Sequence, residues 1–151
     1  MSDAQDSLTG LIIPLAEQSL LLPNVAVAEL VGYRLGTAAN QGPDWFLGWA
    51  HWRDQQVPLI DPGLLLGQAA GAGQTERMLI LNAVSGQQNL RFLALRVAGI
   101  PRSKRVVRGE MQDLGETGPF ISASVRLADE PGALLIPDLA AIEQSVGQIV
   151  V

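Results

Sequence analysis

Cysteine is absent from this 151-residue chain. Structural disulfides and Cys-ligated metal sites are therefore excluded, and the composition fits a reducing compartment. The chain has 1 histidine, His51. A Ser-His-Asp site would have to use it, yet no Gly-x-Ser-x-Gly accompanies it. A zinc site would need carboxylates clustered around it, and none are visible in the sequence. Walker A and Rossmann glycine patterns are missing too. Basic residues number 10 against 15 acidic, for a net charge of −5, whereas a dedicated nucleic-acid binder is usually basic. No uncharged apolar run approaches the ~20 residues that span a bilayer. The opening stretch, residues 1–6, is acidic where a signal peptide is basic. These absences predict a cytoplasmic, non-enzymatic protein with no cofactor and no metal.

Aromatic residues are scarce, at 5%, but they are not scattered. All 3 tryptophans and the histidine fall in Trp45-Phe46-Leu47-Gly48-Trp49-Ala50-His51-Trp52. Apolar residues make up 48% of the chain, enough for a folded core in a chain of one-domain length.

Short apolar runs broken by turn residues predict strands at Leu11–Leu15, Ser19–Leu22, Phe46–Trp52, Val57–Ile60, Met78–Ala83, Leu90–Val97, Ile121–Leu127 and Ala133–Ile136. Val25–Val31 reads as one helical turn followed by a strand through Tyr33. Gly36–Pro43, Gly67–Gly73 and Arg108–Gly118 read as loops, and Ser85–Asn89 as a turn. Glu116, Asp129 and Glu130 then read as solvated loop carboxylates. Asp61-Pro62 starts a short helix through Leu66, since Asp caps free N–H groups and Pro suits the first helical position. A final helix is predicted over Leu139–Val146, ended by Gly147.

Leu59–Leu66 and Leu135–Ile142 echo one another: strand, then Pro and Asp, then an apolar helix. Two copies point to two similar β-subdomains. Many short strands with Gly/Pro turns point to small barrels. Two barrels of ~70 residues would be marginal apart and should share a core.

By strand alternation, Trp45, Leu47, Trp49, His51 and Arg53 share one face, and Phe46, Gly48, Ala50 and Trp52 the other. Both faces carry large apolar groups. Either a second subdomain covers one of them or a partner does. Trp and Arg are enriched at interface hot spots, so Trp49, Trp52 and the hairpin-tip Arg53 are candidate partner-binding residues.

Gly48–Asp61, GWAHWRDQQVPLID, resembles the signature of the CheW-like family, in which Gly, a few apolar positions and Arg-Gly precede Val-Pro-Val-Ile-Asp. Val27-Ala28-Glu29-Leu30 resembles the family's Val-x-Glu-Ile. Pro43–Phe46, Leu95–Ile100 and Leu134–Ile142 resemble further segments in the same order. The resemblance spans roughly residues 8–146. It implies an all-β fold of two interlocked five-stranded SH3-like β-barrels with short helices, residues 8–151 forming one domain after a flexible tail, 1–7. It also implies a non-catalytic adaptor of bacterial chemosensory arrays whose partners are a CheA-type histidine kinase and a methyl-accepting chemoreceptor, so that it meets the membrane only through receptors. Val27, Glu29 and Arg53 match positions facing those partners; Gly48, Pro58 and Asp61 match structural ones. Asp54, His51, Trp49, Trp52 and Arg96 depart from the family pattern. Those departures resemble an accessory member, with type IV pilus chemosensory systems as one home.

A second reading rests on Arg102-Ser103-Lys104-Arg105-Val106-Val107-Arg108, which holds four of the basic residues, including the only lysine. As a basic loop, Arg102, Lys104, Arg105 and Arg108 offer a site for phosphates, the sharp version being cyclic-di-GMP on a PilZ-like barrel. The spacing departs from Arg-x-x-x-Arg at Arg102 and Arg105, and the second motif of that family is missing.

Overall fold

Alternation explains why the apolar runs of this chain are continuous: in several strands both faces are buried. The computed structural model describes residues 7–15, 17–68, 77–84, 86, 90–97 and 99–150. Six strands in the first half, β1 (Ser7–Ile13), β2 (Ser19–Pro23), β3 (Val27–Gly32), β4 (Leu35–Ala38), β5 (Phe46–Trp52) and β6 (Gln55–Ile60), lead into a short helix α1 (Pro62–Leu65). The second half repeats the plan with β7 (Arg77–Asn82), β8 (Phe92–Val97), β9 (Arg102–Val107), β10 (Met111–Asp113), β11 (Ile121–Leu127), β12 (Leu134–Pro137) and a longer helix α2 (Leu139–Val150).

The two sheets do not divide at the middle of the chain. One has the order β3-β7-β8-β6-β5-β4, the other β10-β11-β12-β2-β1-β9. Each half therefore gives its first hairpin to the other half's sheet. β7 pairs with β3 antiparallel and β8 with β6 parallel; β1 pairs with β9 antiparallel and β2 with β12 parallel. The two sheets are equivalent strand for strand, which gives structural meaning to the echo in the sequence. In each, the two end strands follow one another in the chain. β3 runs into β4 through residues 33 and 34, and β9 into β10 through a 3-10 turn, Arg108–Glu110. The sheet thus rolls into a small barrel, all-β with short helices. The count is six strands rather than five because the closing strand is broken at that corner.

Three apolar clusters result. Ala50, Trp52, Val57, Leu59, Met78, Ile80 and Ala94 fill the first barrel. Ile12, Leu21, Val106, Val125, Leu127 and Leu134 fill the second. The largest cluster lies between them and includes Ile13, Leu20, Leu22, Leu79, Leu81, Leu93 and Leu95. On β7, Met78 and Ile80 thus point into a barrel while Leu79 and Leu81 point into the shared core. The exchanged hairpins are apolar on both sides for this reason. α2 closes the shared core with Ile142 and Val146.

Several sequence expectations need correction. Gly36–Ala38 of the expected loop belong to a strand, Leu35–Ala38; all four of its residues are exposed, so no inward face marks it in sequence. Met111–Asp113, inside the expected loop, is an exposed strand for the same reason. The basic segment is strand β9. α2 continues past Gly147, which is buried within the helix, to Val150. Residues 1–6 of the expected tail, 69–73 of the expected loop, and 85 and 87–89 of the expected turn lie outside the described residues; Ser7 already begins β1. Among the described residues, no helix is long and apolar enough to cross a membrane.

Asp61 caps α1 by accepting from the Leu64 N–H at 3.2 Å, and Asp138 accepts from the Ala141 N–H at 3.1 Å at the start of α2. Just after α1, Gln68 Oε1 accepts from the Glu17 and Gln18 N–H groups of the β1–β2 connection, both at 3.1 Å, and the counterpart of Gln68 in that symmetry is Glu143. It is 1% exposed, and both its carboxylate oxygens accept from the Val84 N–H, at 3.0 and 2.8 Å. The helix thereby holds the end of the β7–β8 hairpin. Glu143→Ala leaves that donor without its charged acceptor and is expected to cost about 2 kcal/mol. Urea unfolding followed by circular dichroism checks this, with an unchanged midpoint as the contrary result.

Candidate functional site

The β5–β6 hairpin turns in two residues, with Trp52 opposite Gln55. Its central residues, Arg53 and Asp54, have φ of 48° and 61°. Positive φ at both positions is the two-residue turn whose twist suits a hairpin, and it favours Asn-Gly. Neither Arg nor Asp has glycine's freedom there. Strained backbone persists only where its surroundings hold it, and four contacts of Trp52 and Arg53 hold this tip.

Trp52 points into the first barrel and is 7% exposed. Its ring packs edge-on to Phe92, with centroids 4.8 Å apart. Its Nε1–H donates to Glu29 Oε1 at 2.9 Å. Arg53 Nη2 lies 3.2 Å from the same oxygen, and the guanidinium stacks 4.8 Å over the Trp52 ring. Glu29 thus reaches across from β3 to tie two neighbouring residues of β5 and its turn. Arg53 and Glu29 remain 67% and 40% exposed, so the ion pair adds little to stability. Its effect is positional: a charged pair is presented in fixed geometry on an aromatic support.

Three of the five partner-binding candidates therefore come together. The other two do not join them. Val27 is half-buried and packs on the shared core, opposite Leu81. Trp49 also packs on the shared core, edge-on to Phe46 at 6.0 Å and 89°. The Ala50 and Trp52 face of the aromatic strand is thus covered by its own barrel, whereas on the other face Leu47 and Trp49 are half-buried. His51 is exposed at the rim, and no group of three or more metal-ligating residues occurs among the described residues. Sequence reasoning missed Tyr33 and Arg34, which bend from β3 into β4 beside the hairpin tip; their one signal is that the chain's single tyrosine and an arginine follow an apolar strand directly.

The basic segment does not form a patch. As a strand, it places Arg102 and Lys104 on one face and Arg105 on the other. Arg102 Nη2 meets Glu130 Oε1 at 2.5 Å, and Lys104 Nζ lies 3.4 Å from Asp129 and 4.0 Å from Glu130. Glu130 was expected in solvent, yet its side chain is 8% exposed. The Arg102 hydrogen bond lowers its carboxyl below the ordinary value and raises Arg102 in turn. The stabilisation from Glu130 is complete above the ordinary carboxylate range and is lost as pH falls through its lowered value. These cations are already matched by carboxylates of the β11–β12 turn. The Arg108 side chain lies outside what the structure describes.

Residues 9–146 match the model of the CheW-like domain. No curated protein sequence matches the chain. Among solved structures, the scaffolding protein TtCheW from Thermoanaerobacter tengcongensis has a similar fold: TM-score 0.70 and 18% identity, covering 86% of this chain and 88% of that one.

Proposed function

The chain belongs to the CheW-like domain family, whose members are non-catalytic chemotaxis scaffolds, and from that premise we propose that it is a cytoplasmic adaptor coupling chemoreceptors to a CheA-type histidine kinase. The observation that carries this reading is the clasp of Glu29, Trp52 and Arg53: an exposed ion pair, held at 3.2 Å on a buried indole, at the tip of the hairpin that bears the family signature. Such a rim charge pair steers and registers a protein partner rather than performing chemistry. The solved scaffolding protein of similar fold supports the same role. Nothing supports the nucleotide reading, because Arg102 and Lys104 are neutralised within the chain.

Purified CheA-type kinase and receptor from the source organism test the proposal. Arg53→Glu sets two carboxylates side by side and is expected to weaken kinase or receptor binding about tenfold or more, with the fold intact by circular dichroism. The double exchange Glu29→Arg, Arg53→Glu restores an ion pair with reversed polarity, and should fold without restoring affinity. If wild type binds neither partner, or the double exchange binds as well as wild type, the reading fails.

A further inference from the structure

The hairpin tip forms one wall of an open cleft of about 470 Å³, lined by His51, Trp52, Arg53 and Asp54 on that side and by Tyr33 and Arg34 on the other. Buried Met78 lies at its floor. That volume suits one or two partner side chains rather than a flat contact. The wall is fixed in advance, because Glu29 ties Trp52 and Arg53 back to β3. Less ordering is then needed on binding.

The charge around the cleft runs against the rest of the molecule. Arg34 and Arg53 line it, Arg96 lies 5.4 Å from the Tyr33 ring, and Arg77 is opposite Gly32 in the adjoining strand pair. Among the described residues, Glu29, which is paired with Arg53, and Asp54 stand against these four arginines, which leaves the surroundings of the cleft net positive. The whole chain carries 15 acidic residues against 10 basic ones. A local cationic excess on an acidic protein attracts acidic segments while the remaining surface repels them. Tyr33 and Trp52 add flat apolar faces against which the stem of a glutamate can lie.

We propose that this cleft receives an acidic segment of the protein partner, its carboxylates meeting Arg34 and Arg53, with Asp54 acting against it as a brake on affinity. The inference rests on the adaptor reading for its biological setting, but the cleft can be tested without it.

The first arm titrates the full-length protein with hexaglutamate and follows the Trp52 indole N–H by NMR. A saturating shift that is lost in Arg34→Glu and weakened by salt supports the cleft. No shift at millimolar peptide overturns it. The second arm measures affinity for the CheA-type kinase and for the receptor. Arg34→Glu is expected to weaken binding of one of them about tenfold, and Asp54→Asn, which tolerates the positive φ, to tighten it about threefold, both effects shrinking in high salt. Opposite signs from the two variants separate a charge effect from a damaged turn. Unchanged affinity in both variants overturns use of the cleft while the adaptor stands. A wild type that binds neither protein overturns the adaptor reading and leaves the peptide arm to decide the cleft.

Discussion

Gly48→Ala is expected to remove at least about 4 kcal/mol of stability, the range reserved for substitutions with no room to relax. Gly48 has φ of 132°, which L side chains rarely adopt. A β-carbon there would lie 2.1 Å from the Thr37 carbonyl oxygen and 2.8 Å from the Ala39 nitrogen. Both clashes are with backbone, so no side chain can rotate away. The cause is the bulge between Phe46 and Gly48, which brings β4 against β5 and turns Phe46 toward the shared core while Ala50 and Trp52 face the barrel. Since unfolding of a domain this size shifts about 2–4 °C per kcal/mol, calorimetry should show a midpoint lowered by roughly 10 °C or failure to fold. A loss under about 1 kcal/mol would mean that the β4–β5 pairing is not as described.

Trp52→Ala is the second large effect, at about 3–5 kcal/mol. The substitution opens a cavity beside Phe92 in the first barrel, and it also removes the donor and the platform that hold Glu29 and Arg53. Trp52→Phe separates the two contributions. It keeps most of the packing but loses the hydrogen bond to Glu29, so stability should fall by about 1–2 kcal/mol. If the clasp serves partner binding, that variant should bind more weakly than its stability loss alone implies. Equal binding by folded Trp52→Phe and wild type would show that the indole only fills the barrel.

The strands with an inward face were legible from sequence. β5 is matched residue for residue, and β7 and β8 nearly so, because apolar side chains on them meet a core. The Asp61 cap and the echo near Asp138 were legible because capping is local chemistry. β4 and β10 were not, since their pairing depends on the neighbouring strand and not on burial of their own side chains. At the site, Arg53 and Glu29 could be named from the family pattern, but their shared contact with Trp52 could not. It joins β3 to β5 across a closed barrel, and no local periodicity records such a distance. Glu130 was misread for the same reason: its partner Arg102 lies on a strand 28 positions earlier. Gly147 was misread as a stop, although a buried glycine inside a helix can equally mark close packing.

The exchange of first hairpins has a consequence for synthesis. β1 and β2 leave the ribosome first, yet Ser7 pairs with Val107 and Leu20 with Leu135. A nascent chain that has reached Val97 holds every strand of the first barrel, while β1 and β2 still present two unpaired edges and apolar side chains on both faces. Long-range pairing of this kind folds slowly, and the waiting hairpin is open to aggregation. A chain cut short between Val97 and β12 therefore yields no working half of this domain. It yields a sticky intermediate, and the exchanged hairpin finds its place only once β9 and β12 have been made.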